Sequence, residues 1–323
     1  MDLSVEGPKL GMLLIGVLVF VVVVGLILLI VDKAPRWKRE QFQIGTLLAP
    51  AVILLAIGLV VPAIRTFLIS LHSNDGKRWV WTDNYKWMFT TPDIRLVLRN
   101  TALWVILGPL VSTAVGLVYA VVVDRTRFEK LAKSLVFLPM AISFVGAGII
   151  WKFVYATGSS GGKQVGLLNA IVTGLGGNPQ LWLLRQPWNT LFLIVVMIWI
   201  QAGFATVVLS AAIKGIPAET VEAARIDGAN SMQLFRRITI PSIRPALVVV
   251  VVTISIATLK VFDIVRAMTG GQFGTSVVAN EMYNQSFPYN QEGYGAALAV
   301  LLFVLVLPIV VYQVRAIRER RRI

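Results

Sequence analysis

Six uncharged apolar stretches, 12–31, 44–64, 100–123, 134–151, 188–213 and 293–314, recur along this chain of 323 residues. A seventh runs from Pro245 through Leu259 and continues past Lys260 towards Arg266. A helix of about 20 apolar residues crosses the roughly 30 Å hydrocarbon layer of a bilayer. The chain is 57% hydrophobic and 14% charged, whereas a soluble domain carries about 25% charge. Lipid is therefore the solvent these surfaces require. Backbone groups in lipid have to be satisfied within the segment, and these runs lack the alternation of barrel strands. The expected fold is an all-α membrane protein, a helical bundle of about seven transmembrane helices. Six of them form a core from residue 44 onwards, and 12–31 is an N-terminal addition.

The lysines and arginines orient that bundle. With the N-terminus outside, the segments 32–43, 124–133, 214–244 and 315–323 face the cytoplasm and hold 18 Lys and Arg. The opposite segments, 1–9, 71–96, 157–189 and 267–293, hold 7. This asymmetry follows the positive-inside rule and places the C-terminus in the cytoplasm. It also accounts for the net charge of +14 without a polyanion, so no nucleic-acid partner is expected. The leader MDLSVEGPK is not basic and no small-residue cleavage site precedes PRWKRE, so the first run is expected to be a retained helix. The stretch VGLLNAIVTGLGG in the loop 157–189 is too short to span and is expected along the outer interface. Three parts follow: 1–43, the extra helix with a basic linker; 44–315, the membrane domain; and 316–323, a basic tail.

Several chemistries are excluded. There is no cysteine and one histidine, His72, in a loop; a metal site needs several converging ligands, so none is expected. The run GSSGGKQVG, 158–166, has glycine spacing too short for a phosphate loop and Gln164 where a magnesium-binding hydroxyl is needed. No nucleophile elbow or HExxH pattern occurs. The chain is not expected to be an enzyme, and any ATP and magnesium are bound by a partner.

One charged segment interrupts the apolar runs. Residues 217–241 carry three acidic and three basic side chains, too many to cross a bilayer. Pro217 suits a first helical turn, Glu219 and Glu222 favour its positive end, and the alanines are strong helix formers. Gly228 permits a sharp change of direction. Asn230 or Ser231 can cap a second short helix with Leu234, Phe235 and Ile238 on one side, which Pro241 is expected to close. A helix meant for anionic lipid would be basic on its polar face. A neutral one with an apolar knob suits a protein cleft.

The pattern Glu222-Ala223-Ala224, then Gly228, then Ile238, Ile240 and Pro241 resembles the EAA loop of ATP-binding cassette importer permeases, with Ile240 where the family has leucine. WTDNYKWMF and LRNTALW, 81–89 and 98–104, are similar to carbohydrate-uptake permeases, and 259–287 is similar to their α-glucoside members. The resemblance implies that Glu222, Ala223, Ala224, Asp227, Gly228, Ile238 and Pro241 form a coupling helix docked on a cytoplasmic ATPase. It implies two ATP-binding subunits, a second permease subunit in a hetero-dimer, and an extracytoplasmic solute-binding protein, all at a prokaryotic inner membrane and its lipid. In maltose-type permeases the sugar contacts come from the two spans flanking this loop. That similarity points to Gln201, Phe204, Ala257, Thr258 and Val261 as the substrate path, for a di- or oligosaccharide such as an α-glucoside. An ion-coupled secondary transporter is the alternative, and it needs an acidic residue near mid-bilayer and an internal repeat. Lys260 and Asp263, expected three apart on one helix face near the outer boundary, suit an ion pair there better than a relay. Gly108, Gly116, Gly146 and Gly148 are expected to be close-packing sites.

Overall fold

The computed structural model describes residues 11–12, 15–19, 21–25, 39–124, 126–158 and 165–320. The leader, most of the basic linker, the end of the first expected span, most of the GSSGGKQVG run and 321–323 lie outside the described residues. The chain divides into two compact units, Met1–Arg65 and Thr66–Ile323. In the first, apolar helix covers 15–19 and 21–25, and α1, Arg39–Leu55, passes through a π-helical turn, Ala56–Val60, into α2, Val61–Ser70, whose last five residues belong to the second unit.

The second unit holds α3, Asp83–Thr90, α4, Pro92–Val123, α5, Glu129–Phe137, α6, Phe144–Val154, and α7, Leu167–Gly174. There follow α8, Trp188–Lys214, α9, Ala218–Ile226, α10, Ser231–Leu234, α11, Ile240–Leu259, α12, Asp263–Met268, α13, Val278–Ser286, and α14, Glu292–Arg320. Among the described residues of the whole chain, five helices are long and apolar enough to cross a membrane, and a sixth span is formed if the bent pair α5–α6 counts as one. At 32 residues, α4 is about 48 Å long. It starts on Pro92 with Asp93 in the first turn, as the missing N–H of proline and the positive helix end favour.

The frame is α4 packed along α8, with α11 laid across both. Small residues let these backbones approach. A Cβ on Gly108 would lie 2.6 Å from the Thr258 methyl, and one on Gly116 would lie 2.8 Å from the Thr206 backbone nitrogen. A Cβ on Gly148 would meet that of Ala267 at 3.0 Å, whereas Gly146 packs only on Ser143 and Ile142 of its own turn. Gly203 matters as much: a Cβ there would overlap the Val136 carbonyl oxygen. Without a hydrophobic drive between helices in lipid, such contacts hold a bundle together.

Three expected elements are built differently. The run 134–151 is not one straight helix: a 3₁₀ turn, Leu138–Ala141, containing Pro139, breaks it, Ser143 caps the next helix at Gly146 N (3.1 Å), and the axis turns by 104°. The run from Pro245 ends at Leu259, where Val261 N–H closes on Thr258 O at 3.1 Å and Phe262 departs from helical geometry. A separate helix, α12, then packs on α6 through the Gly148–Ala267 approach. Lys260 and Asp263 therefore lie on different elements and do not share a helix face. Nor does Pro241 close α10: the chain is helical without interruption from Ser231 to Leu259.

The reason is a π-helical turn, Phe235–Thr239, in which Ile240 N–H reaches back to Phe235 O. Proline in a helix lacks a donor and clashes with the carbonyl four residues back. A wide turn just ahead of it relieves both problems. The same device recurs at Ala56–Val60, where Val61 N–H bonds Ala56 O just before Pro62.

Candidate functional site

The segment 217–241 is a bent helical projection whose shape is set by its own backbone. α9 carries Glu219 in its first turn and Arg225 in its last, both favourable to the helix dipole. It ends at Gly228, whose φ is +81°, in the left-handed region that a side chain disfavours. Gly228 N–H bonds Arg225 O at 3.0 Å and Ala229 N–H bonds Ala224 O at 2.9 Å, a Schellman motif. Asn230 and Gln233 then cap α10 reciprocally, each side chain accepting the other's backbone N–H at 2.9 Å.

The apolar knob expected at Leu234, Phe235 and Ile238 is turned inward. Leu234 is buried, and Phe235 and Ile238 are half-buried. The apolar groups offered outward are Ile226, 86% exposed, and Met232, 61% exposed. Composition did not separate these two sets, because the direction of each depends on the turn at Gly228. Around them Glu222, Ala223, Asp227, Gly228 and Pro241 are exposed, and Ala224 is half-buried.

Where the projection joins the bundle, an ion network ties three helix ends together. Lys133 of α5 pairs with Asp124 at the end of α4 (2.6 Å) and with Glu129 (2.7 Å), and Lys214 of α8 also reaches Glu129. Ser210 Oγ donates to both Asp124 oxygens at 2.7 and 2.9 Å and receives Lys133. The network is partly open to water, with Lys214 50% and Glu129 25% exposed, and Lys133 with Lys214 holds the Glu129 pKa down at about 2. Sequence reasoning missed this cluster, whose members come from segments up to 90 residues apart.

The expected path residues have mixed surroundings. Gln201 is buried on α8 and makes no side-chain hydrogen bond among the described residues; Phe204 beside it is half-buried against the cluster of Ala120, Leu209 and Val250. Thr258 donates to Ile254 O and Ser255 O, both 3.0 Å, and its methyl fills the space at Gly108. Val261 belongs to the buried cluster of Trp104, Met197 and Ile264, with Ala257 packed on it. Thr258, Ala257 and Val261 thus pack against helices, and Gln201 alone of the five carries a polar group that makes no hydrogen bond among the described residues.

The other end of α4 carries a second structured region. Asn100 Nδ2 donates to Gly274 O (2.7 Å) and Ser276 O (3.0 Å), and Thr101 Oγ1 accepts Val278 N–H at 2.9 Å. Asn189 Nδ2 holds Phe273 O at 2.7 Å. These bonds fix the loop 269–277 on the ends of α4 and α8. Asn169 similarly pins the loop beside α7, accepting Gln180 N–H and Trp182 Nε1–H. Among the described residues no group of three or more His, Cys, Asp or Glu is placed to hold a metal ion.

Helices of spanning length, one of them continuous with a capped projection, are the frame of a membrane protein. Residues 112–323 match the family described as binding-protein-dependent transport system inner membrane component. The α-glucoside transport system permease protein AglF of Rhizobium meliloti (strain 1021) is 48% identical over 274 residues, 84% of this chain and 82% of that protein. The osmoprotective compounds uptake permease protein GgtC of Synechocystis sp. is 47% identical over 274 residues, 85% and 98% of the two chains. In fold, the chain is similar to a subunit of a bacterial alginate ABC transporter, with TM-score 0.73 at 22% identity over 85% of this chain and 94% of that one. The chain therefore belongs to the inner-membrane permease subunits of binding-protein-dependent ATP-binding cassette importers, and is a multi-pass membrane protein.

Proposed function

We propose that this permease imports an α-glucoside or a related di- or oligosaccharide, and that 217–241 is the coupling helix through which a cytoplasmic ATPase drives it. The observation that carries the coupling reading is the continuity of the projection with a spanning helix. A displacement at Gly228 is delivered through 29 helical residues, Ser231–Leu259, rather than absorbed by a loose loop. Ile226 and Met232 enter the ATPase groove, framed by Glu222 and Asp227. ATP and magnesium sit on two partner ATP-binding subunits, so this chain is not itself an enzyme. A second permease subunit completes the path, and a solute-binding protein delivers cargo at the opposite face. The N-terminus lies outside and the C-terminus in the cytoplasm, with 44–315 as the working domain. Gln201 is the path residue the geometry favours most, because its amide sits in a largely buried side chain and makes no hydrogen bond to the rest of the described chain.

The sugar reading rests on the similarity to the α-glucoside permease; the near-equal similarity to the osmoprotectant permease favours a compatible solute as the second reading. Uptake of radiolabelled maltose, sucrose, trehalose and glycine betaine by cells carrying the intact system separates them. Competition confined to α-glucosides supports the first, and transport of betaine alone rejects it. Recovery of an ATP-binding subunit with the full-length chain, lost when Ile226 and Met232 are both changed to Asp, tests the docking surface.

A further inference from the structure

A groove of about 580 Å³ opens between the end of α11, the helix α13 and the middle of α14. Its α14 wall is Ala299, Leu302, Phe303 and Val306, spaced as one helix face, and it covers about 10 Å of the axis. These residues lie within the span Glu292–Gln313, so the groove stands at membrane depth. Met282 of α13 extends the apolar wall, and Phe303 is 59% exposed. The lining holds a single charge. Lys260, exposed at the C-terminal end of α11, makes no hydrogen bond and no ion pair among the described residues. The negative end of α11 favours a cation there. Asp263 sits in the first turn of α12 and is not within ion-pair distance of it. Beside Lys260 an aromatic row, Phe262, Tyr283 and Phe287, has ring centroids 5.3 and 5.1 Å apart. The Arg266 guanidinium stands 4.8 Å over the Tyr283 ring and donates to Asn284 Oδ1 at 3.1 Å, with no carboxylate at ion-pair distance among the described residues. Two cations without counter-ions thus border an apolar trough that no acidic residue lines. Unpaired charge at such depth is costly, and it calls for an anion from outside the chain.

We propose that this groove holds one phospholipid with an anionic headgroup, its phosphate on Lys260 and Arg266 and an acyl chain along Met282, Leu302, Phe303 and Val306. The division of the site selects that class. A free phosphate leaves the trough empty, and an uncharged lipid leaves both cations unpaired. A zwitterionic headgroup brings an ammonium for which the lining has no carboxylate; Glu281 of α13 accepts instead from Gln285 and Ser276. A helix of a second permease chain would have to carry an acidic side chain to membrane depth to meet Lys260, and such residues are rare there. Basic pockets between spanning helices are sites where anionic lipid headgroups bind. The lipid is thereby seated at the far end of Ser231–Leu259, the helix that carries the projection, and bridges it to α14.

The test is native mass spectrometry of the full-length chain, with whatever subunits co-purify, released from nanodiscs of mixed phosphatidylglycerol and phosphatidylcholine. Retention of phosphatidylglycerol over phosphatidylcholine is expected. Lys260→Gln, at an exposed position, is expected to lower that preference about fivefold, the effect of one basic contact near the membrane surface. Ala299→Trp fills the trough and is expected to release the retained lipid whatever its headgroup. Equal retention of the two lipids, or a preference unchanged by Lys260→Gln, overturns the proposal and leaves Lys260 as a side chain reaching for water. Retention unchanged by Ala299→Trp overturns it as well, by removing the acyl chain from the groove. Glycerophosphoglycerol, the same head without acyl chains, is not expected to displace the lipid; displacement by it would show an anion site independent of the trough, against the proposal. A photoreactive benzoylphenylalanine in place of Phe303 is expected to label lipid. Labelling of a second permease chain there would make the groove a protein interface and reject the lipid.

Discussion

At the projecting end, residues 217–233 are shaped by hydrogen bonds between groups no more than five residues apart: the Schellman turn at Gly228 and the Asn230–Gln233 box. At the far end, the loop 269–277 is shaped by Asn100, Thr101 and Asn189, which lie 84 to 177 residues away in sequence. The first region is held by its own neighbours while exposed, which suits the lever proposed above. The second depends on α4 and α8 for its shape.

The sharpest way to break this comparison is Gly228→Pro. Proline fixes φ near −65°, which the +81° turn cannot accept. The chain is expected to insert at normal levels, with solute uptake abolished and ATPase activity uncoupled. Wild-type uptake in proteoliposomes would remove the lever from the argument. Next in size is Lys133→Met, which removes the cation shared by Asp124 and Glu129 and leaves them Ser210 and Lys214 alone as partners at the base of the projection. A lowered midpoint of thermal unfolding in detergent is expected, moderated by the partial exposure of the group. Asn100→Leu removes two bonds to the loop at a cost of about 1–3 kcal/mol. Faster amide exchange is expected in 271–276, with none in 217–233. Change in both regions would show that the two ends are not independently built. The smallest effect belongs to Asn230→Ala, about 1 kcal/mol for a lost cap, expected as faster exchange confined to 231–234.

Legibility follows the same division. The turn at Gly228, the cap at Asn230 and the close approaches at Gly108, Gly116 and Gly148 were readable because each is written into neighbouring residues or into residue size. Gly203, which meets the Val136 carbonyl, carried no local mark. The inward turn of Leu234 and the outward turn of Ile226 were not readable either, since an apolar residue in a short helix is compatible with both directions. Pro241 signalled a helix end, and the π-helical turn before it cancelled that signal. Lys260 looked continuous with its helix because nothing in the sequence shows that Ala267 is drawn onto Gly148.

By itself the sequence determined that the chain is helical and crosses lipid, since apolar runs of that length leave the backbone no other way to satisfy its polar groups. It also determined where a rigid charged projection would interrupt the runs. Tertiary structure alone decided which faces of those helices are buried. The spans Gln43–Ser70 and Trp188–Lys214 read alike as apolar helices, yet in their most apolar 18-residue windows none of the first and 56% of the second is buried within the chain. Lipid tails and neighbouring helices are equally apolar, so hydropathy cannot distinguish them. Only shape, small residues and the placement of a few amides settle which surface meets which.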